Sequence, residues 1–166
     1  HPQAMYELGV SYMNGRGITK NTDKGIQYLT AAAEKNSVEA CEALAKLYKN
    51  GIKDYNGQSN FVSLSGAEVY AKKLVGLTDS KEAEYLLASI MQALDNAVEA
   101  KTWYQSAVNK GSDLAKLALS KMYILEGVNY SDAVSMLKTI SAKKNGEAQY
   151  LLAYCLENGY GCEKDK

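Results

Sequence analysis

Ala4-Met5-Tyr6-Glu7-Leu8-Gly9-Val10-Ser11-Tyr12-Met13-Asn14-Gly15-Arg16-Gly17-Ile18 stands near the start of the chain, and Ala148-Gln149-Tyr150-Leu151-Leu152-Ala153-Tyr154-Cys155-Leu156-Glu157-Asn158-Gly159-Tyr160-Gly161-Cys162 stands near its end. The two stretches align without a gap, with Ala, Tyr, Leu and Asn-Gly-x-Gly at the same offsets. Three further copies lie between them: Ala40, Leu44 and Tyr48; Ala83, Leu87 and Met91; Ala115, Leu119 and Tyr123. The marker alanines are 36, 43, 32 and 33 residues apart. Self-similarity at this period is the mark of a repeat array.

Within each copy the apolar residues fall at i, i+4 and i+8, which is one face of a helix. A second helix follows each first one. Asn21 caps the earliest of these, whose apolar face is Ile26, Leu29, Ala32 and Ala33, with Lys35 complementing the dipole at its end. The next runs from Gly66 to about Gly76, the third from about Asn96 to Asn109, and the fourth starts near Ser131. The sequence therefore predicts an all-α fold, a right-handed α-α superhelix of antiparallel helix pairs. Its units lie at about 1–36, 37–79, 80–111 and 112–144, with a partial unit at 145–166. A single helix pair cannot cover its own apolar face, so the pairs must stack. Gly9, Ala45, Ala88, Ser120 and Ala153 share one offset, where a small side chain lets two helices approach closely. Leu8 and Leu44 are expected in the core, at a cost of ~2–5 kcal/mol for truncation to Ala.

Composition narrows the function. Nineteen basic residues balance nineteen acidic ones, which argues against a nucleic-acid or anionic-membrane surface. No run of apolar residues is long enough to span a bilayer. The one histidine is His1, so no Ser-His-Asp or Cys-His arrangement has a base. Glu39, Glu42, Glu82 and Glu84 lie on Lys-rich helices and read as a solvated face. No metal or cofactor is called for. Cys155 and Cys162 occupy slots expected to face the core, as buried thiols or, alternatively, a disulfide, with a metal site disfavoured by the spacing. Cys41 shares its slot with Met5, Glu84, Lys116 and Gln149 and is expected to be accessible. Asn14-Gly15-Arg16-Gly17-Ile18-Thr19-Lys20 has glycines like a phosphate loop, but it lacks the preceding strand and the Gly-Lys-Ser/Thr order. Its recurrence at 158–164 fits a helix C-terminus, where Gly takes the left-handed conformation.

The pattern Ala-x-x-x-Leu-Gly-x-x-Tyr-x-x-Gly-x-Gly-Ile, followed by a second helix carrying Ala-Ala-Glu-Lys-Asn, resembles the Sel1-like repeat family, relatives of the tetratricopeptide repeat. The resemblance covers nearly the whole chain. The second unit departs from it by an insertion from Ile52 to about Ser65, read as an extended loop through Asp54, Asn56, Gly57, Ser59 and Asn60. The third lacks the Gly-x-Gly turn and uses Ala93-Leu94-Asp95-Asn96 instead. The resemblance implies an interaction scaffold. Members include adaptors of endoplasmic-reticulum-associated degradation, activators of chitin synthase, and bacterial periplasmic or secreted proteins, toward which it leans. Asp165 aligns with Asn21, so the chain reads as a segment of a longer protein whose uncapped repeats allow end-to-end association.

If the units stack as in tetratricopeptide arrays, the first helices line a concave groove. The residues facing it share offsets: Tyr6, Glu42, Tyr85, Leu117 and Tyr150 on one; Val10, Lys46, Ser89, Lys121 and Tyr154 on the next; Met13 and Lys49 one turn on. Tyr supplies area at low entropic cost and a hydroxyl to orient a partner. The same tyrosines equally suit packing between neighbouring first helices, and the sequence leaves both readings open. The expectation is a non-enzymatic scaffold that holds a partner protein or peptide in the groove. The rivals are a carbohydrate- or cell-wall-binding scaffold at the bacterial envelope and the targeting arm of a larger enzyme.

Overall fold

The structure, a computed structural model, describes residues 1–53 and 59–162. These form nine helices: α1 (Pro2–Asn14), α2 (Thr22–Glu34), α3 (Val38–Asn50), α4 (Leu64–Leu77), α5 (Lys81–Ala93), α6 (Ala97–Asn109), α7 (Asp113–Glu126), α8 (Tyr130–Ser141) and α9 (Gly146–Asn158). Packing is tightest within the pairs α1–α2, α3–α4, α5–α6 and α7–α8, and each second helix then meets the next first helix. The result is an all-α repeat superhelix. The insertion read as an extended loop holds a small antiparallel ladder, β1 (Ile52–Lys53) with β2 (Ser59–Asn60), Ile52 facing Asn60, and its last residues already belong to α4. Asp54, Asn56 and Gly57 lie outside the described residues, as does Asp165.

A recurring cap sets the register of the first helices. Ser37, Ser80, Ser112 and Asn145 each accept a hydrogen bond from the backbone N–H of the marker alanine three residues on: Ala40, Ala83, Ala115 and Ala148. One orphan N–H of each helix is thereby satisfied. Ahead of the caps at Ser37, Ser112 and Asn145 stands a residue with φ between 62° and 82°: Asn36, Gly111 and Lys144. Asp95, at φ 61°, stands in the same left-handed region ahead of the Asn96 cap of α6. Asn21 caps α2 through Lys24 N–H.

The marker alanines Ala40, Ala83, Ala115 and Ala148 and the leucines Leu44, Leu87 and Leu119 are buried. The shared small-residue offset works as a contact surface at Gly9, Ala45, Ala88 and Ser120, all buried, and Ser120 Oγ donates to Ala133 O across the α7–α8 interface. Ala153 is exposed, because no described helix packs on that side of α9.

Three expectations are corrected. Leu8 is not core: it is 36% exposed and Ala4 is also exposed, since no described helix packs on that side of α1. Cys41 is fully buried rather than accessible, enclosed in the central core of α2 to α7, and burial pushes its thiol above the ordinary range. Glu84 is not on a solvated face: it is 5% exposed, and its Oε1 accepts from Lys110 Nζ at 2.8 Å. Lys110 also bonds Asp79, and the two carboxylates, Asp79 first, hold its ammonium above the usual lysine range. The slot that holds Cys41 and Glu84 is enclosed in the middle of the array, whereas Met5 and Lys116 in the same slot are half-buried and Gln149 is exposed.

Candidate functional site

Helices α3, α5 and α7 stand side by side and frame two hollows. One, of about 600 Å³, is lined by Glu42, Lys46 and Lys49 of α3, Leu74 of α4 with Thr78 beyond it, the first turn of α5, Tyr85 and Ser89, and the start of α7. The other, of about 530 Å³, runs on over Gln92, Tyr104, Leu117, Lys121 and Glu147. Lys49, Tyr85, Ser89 and Leu114 line both, so the hollows form one groove open along its length.

The structure brings seven of the sequence-derived candidates to this groove: Glu42, Lys46, Lys49, Tyr85, Ser89, Leu117 and Lys121. Tyr6, Val10, Met13, Tyr150 and Tyr154 line neither hollow. Tyr6, Val10 and Met13 pack partly into the core, Met13 against Gly25, where a Cβ would meet its Sδ at 2.6 Å. Tyr150 is exposed on α9, and Tyr154 sets its ring edge against Tyr160. The two roles left open for tyrosine divide by position. Tyr12 stacks on Tyr28, Tyr48 on Tyr70 and Tyr130 on Tyr160, each pair within the fold. Tyr85 does both: it packs on Tyr104 at 5.7 Å between ring centres and lines the groove.

The groove also draws on residues that offsets along the first helices did not single out. Lys81, Glu82 and Ala83 open α5, and Ser112, Asp113 and Leu114 open α7. They reach the lining because the hollow extends to the N-terminal ends of α5 and α7 as well as along their length. The Ser-x-x-Ala recurrence would have located those turns. Leu114, 60% exposed, is a large apolar side chain open to the groove.

Charges in the lining are mostly paired: Glu42 with Lys46, Asp113 with Lys116 and Lys143, and Glu147 with Lys121. Lys49 differs. Its Nζ donates to Ser89 Oγ at 2.8 Å, and Ser89 Oγ in turn donates to Leu86 O at 2.7 Å. Burial holds the Lys49 ammonium below the ordinary lysine range. Among the described residues no group of His, Cys, Asp and Glu could hold a metal ion, and no helix is long and apolar enough to cross a membrane. Cys155 and Cys162 are both free thiols, Cys155 buried and Cys162 half-buried.

The Sel1 repeat family model matches residues 2–37, 38–57, 81–112 and 146–166, about two thirds of the sequence. This chain belongs to the Sel1 repeat family. The α7–α8 pair, which no match covers, keeps the same pairing of successive helices. Among curated proteins the chain is similar to the chitin synthase regulator SKT5 of Malassezia restricta, 32% identical over 70% of this chain and 8% of that protein. It is also similar to the chitin synthase regulator SKT5 of Saccharomyces cerevisiae, 29% identical over 99% of this chain and 25% of that one. The chain thus spans a quarter or less of the length of these relatives. A Sel1 repeat protein of Oxalobacter formigenes superposes with a TM-score of 0.74 at 26% identity, over 99% of this chain and 66% of that one. A protective antigen of uropathogenic Escherichia coli displaying an SLR fold also gives 0.74, at 22% identity over 99% of this chain and 35% of that chain, and shares the fold.

Proposed function

We propose that this Sel1 repeat array is a non-catalytic recognition module that receives an extended segment of a partner protein in the groove of α3, α5 and α7. The observation that carries the reading is the continuity of the two hollows through Lys49, Tyr85, Ser89 and Leu114. A continuous open channel of this size suits a chain that enters at one end and leaves at the other, held by apolar area and a few oriented polar groups. Tyr85 supplies a ring held by Tyr104, and Leu114 an apolar seat. The names of the curated relatives support a regulatory setting, and by analogy the partner would be a component of a polysaccharide synthase assembly.

Selection from a displayed library of random twelve-residue peptides tests this reading. Enriched peptides are expected to bind the purified chain and to lose binding to the Ser89→Arg variant, which fills the groove, while keeping it for Val69→Ser, a change at an exposed residue of α4. Enriched peptides that ignore Ser89→Arg, or a selection that enriches none, would reject the groove as the site.

A further inference from the structure

The groove presents a cation that the fold itself does not answer. Lys49 is half-buried, and among the described residues no carboxylate lies within 4.0 Å of its Nζ. Its hydrogen bond to Ser89 Oγ uses one of three N–H donors, and the acceptor is neutral. An ammonium taken out of water beside a neutral hydroxyl is under-compensated, which agrees with its lowered proton affinity. The acidic residues Glu42, Asp113 and Glu147 of the lining are engaged by other lysines, leaving Glu82 against Lys49 and Lys81. The unpaired charge of the lining is therefore positive. The residues that join the two hollows pair this cation with an exposed leucine, Leu114.

Resting on the groove reading above, we infer that the groove selects an internal acidic side chain next to an apolar one in an extended partner segment, with the carboxylate paired to Lys49 and the apolar neighbour seated on Leu114. The N–H donors of Lys49 that Ser89 does not take, unengaged among the described residues, donate to the carboxylate in a charge-assisted hydrogen bond, stronger than the bond to Ser89 alone. Lys49 and Leu114 lie where the two hollows join, with lining on either side, so the acid is assigned within the segment and not at a chain terminus.

Arrays of nine-residue peptides test this directly. The central position is fixed as Glu, Gln or Lys, and the flanks are drawn from Ala, Leu, Ser and Tyr with both ends blocked. A fourth set has central Gln and a free C-terminal carboxylate. The purified chain is expected to bind the Glu set about tenfold more tightly than the Gln set at low salt, and the Lys set least. In Lys49→Met the Glu preference collapses to within about twofold, while Lys72→Met, a change at the exposed Lys72–Glu68 pair of α4, retains it. Leu114→Ser, at an exposed site that leaves folding intact, weakens peptides with Leu beside the acid and keeps the Glu preference.

Equal binding of the Glu and Gln sets would overturn the acidic assignment and leave the groove reading standing. A Glu preference that survives Lys49→Met, or binding confined to the set with the free C-terminus, would overturn the role given to Lys49. Absence of binding by every set would also overturn the inference, and the library selection then decides the groove reading separately.

Discussion

Gly9 and Gly25 face each other across the α1–α2 interface so closely that a Cβ on either residue would stand 3.1 Å from the other's carbonyl oxygen. At Gly9 the added carbon would also meet Leu29 Cγ at 2.9 Å. Alanine is the better helix former by ~1 kcal/mol, but at a close backbone approach the steric cost is larger. Gly9→Ala is expected to destabilise the chain by ~1–2 kcal/mol. Gly76→Ala, in α4 with nothing within 4 Å of the new carbon, should stabilise it by ~0.5 kcal/mol. Urea midpoints measure both. Equal shifts of the same sign would show that propensity, and not contact, governs the interface.

Position in the array, and not residue type, sets the cost of truncating a repeat leucine. Leu44 is fully buried and Leu8 is partly exposed. Leu44→Ala should cost ~2–5 kcal/mol, and Leu8→Ala roughly 1 kcal/mol or less. Thermal melts of the two variants check the difference, and a Leu8 effect as large as that of Leu44 would contradict the described burial.

The caps should differ in the same way. Ser112 accepts from Ala115 N–H, so Ser112→Ala is expected to cost ~1 kcal/mol. Asn129, at the start of α8, makes no cap bond with its side chain and sits at φ 47°. Asn129→Gly is therefore expected to be neutral or to stabilise by up to ~1 kcal/mol, because glycine takes the left-handed conformation without a side-chain clash. Denaturant titration followed by helical circular dichroism separates the two outcomes.

Alkaline stability follows from buried acids. Tyr104 is buried among the helices, and burial, with Tyr85 beside it, raises its hydroxyl far above the ordinary tyrosine value. Burial raises the thiols of Cys41 and Cys155 in the same direction. For each group the folded pKa exceeds the unfolded one. The stability they contribute is complete below the unfolded values, ~8.5 for Cys and ~10 for Tyr, and is lost as pH rises beyond them. Melting temperature should stay level near neutrality and fall above about pH 9. Tyr104→Phe removes the hydrogen bond to Gln92 Oε1, at 2.9 Å, for ~1 kcal/mol at neutral pH, and should make the decline above pH ~10 shallower. Parallel curves for the two proteins would contradict this assignment.

Much of the fold can be read from the sequence because its causes are local. The period of Ala, Leu and Tyr places the first helices, and Asn21 and Asn96 mark starts of second helices at the residues where they are found. Burial is less legible in the sequence because it depends on neighbouring pairs. The slot of Met5, Cys41, Glu84, Lys116 and Gln149 looks polar by its occupants, yet Cys41 and Glu84 are enclosed by adjacent helices. Leu8 looks like Leu44 and differs only in what stands beside it. For the groove, Lys49, Tyr85 and Ser89 follow from helical offsets. Leu114 and the first turns of α5 and α7 do not, since they enter the lining from the helix ends and not from the repeated offsets along the first helices.

The central claim is that a partner segment lies along α3, α5 and α7. Backbone amide chemical-shift mapping of the isotope-labelled chain, titrated with a peptide from the library selection, tests it most directly. The account predicts shifts centred on Lys49, Tyr85, Ser89 and Leu114, extending to Leu117. Shifts centred instead on the exposed faces of α4 and α6, at Val69 and Val98, would contradict it.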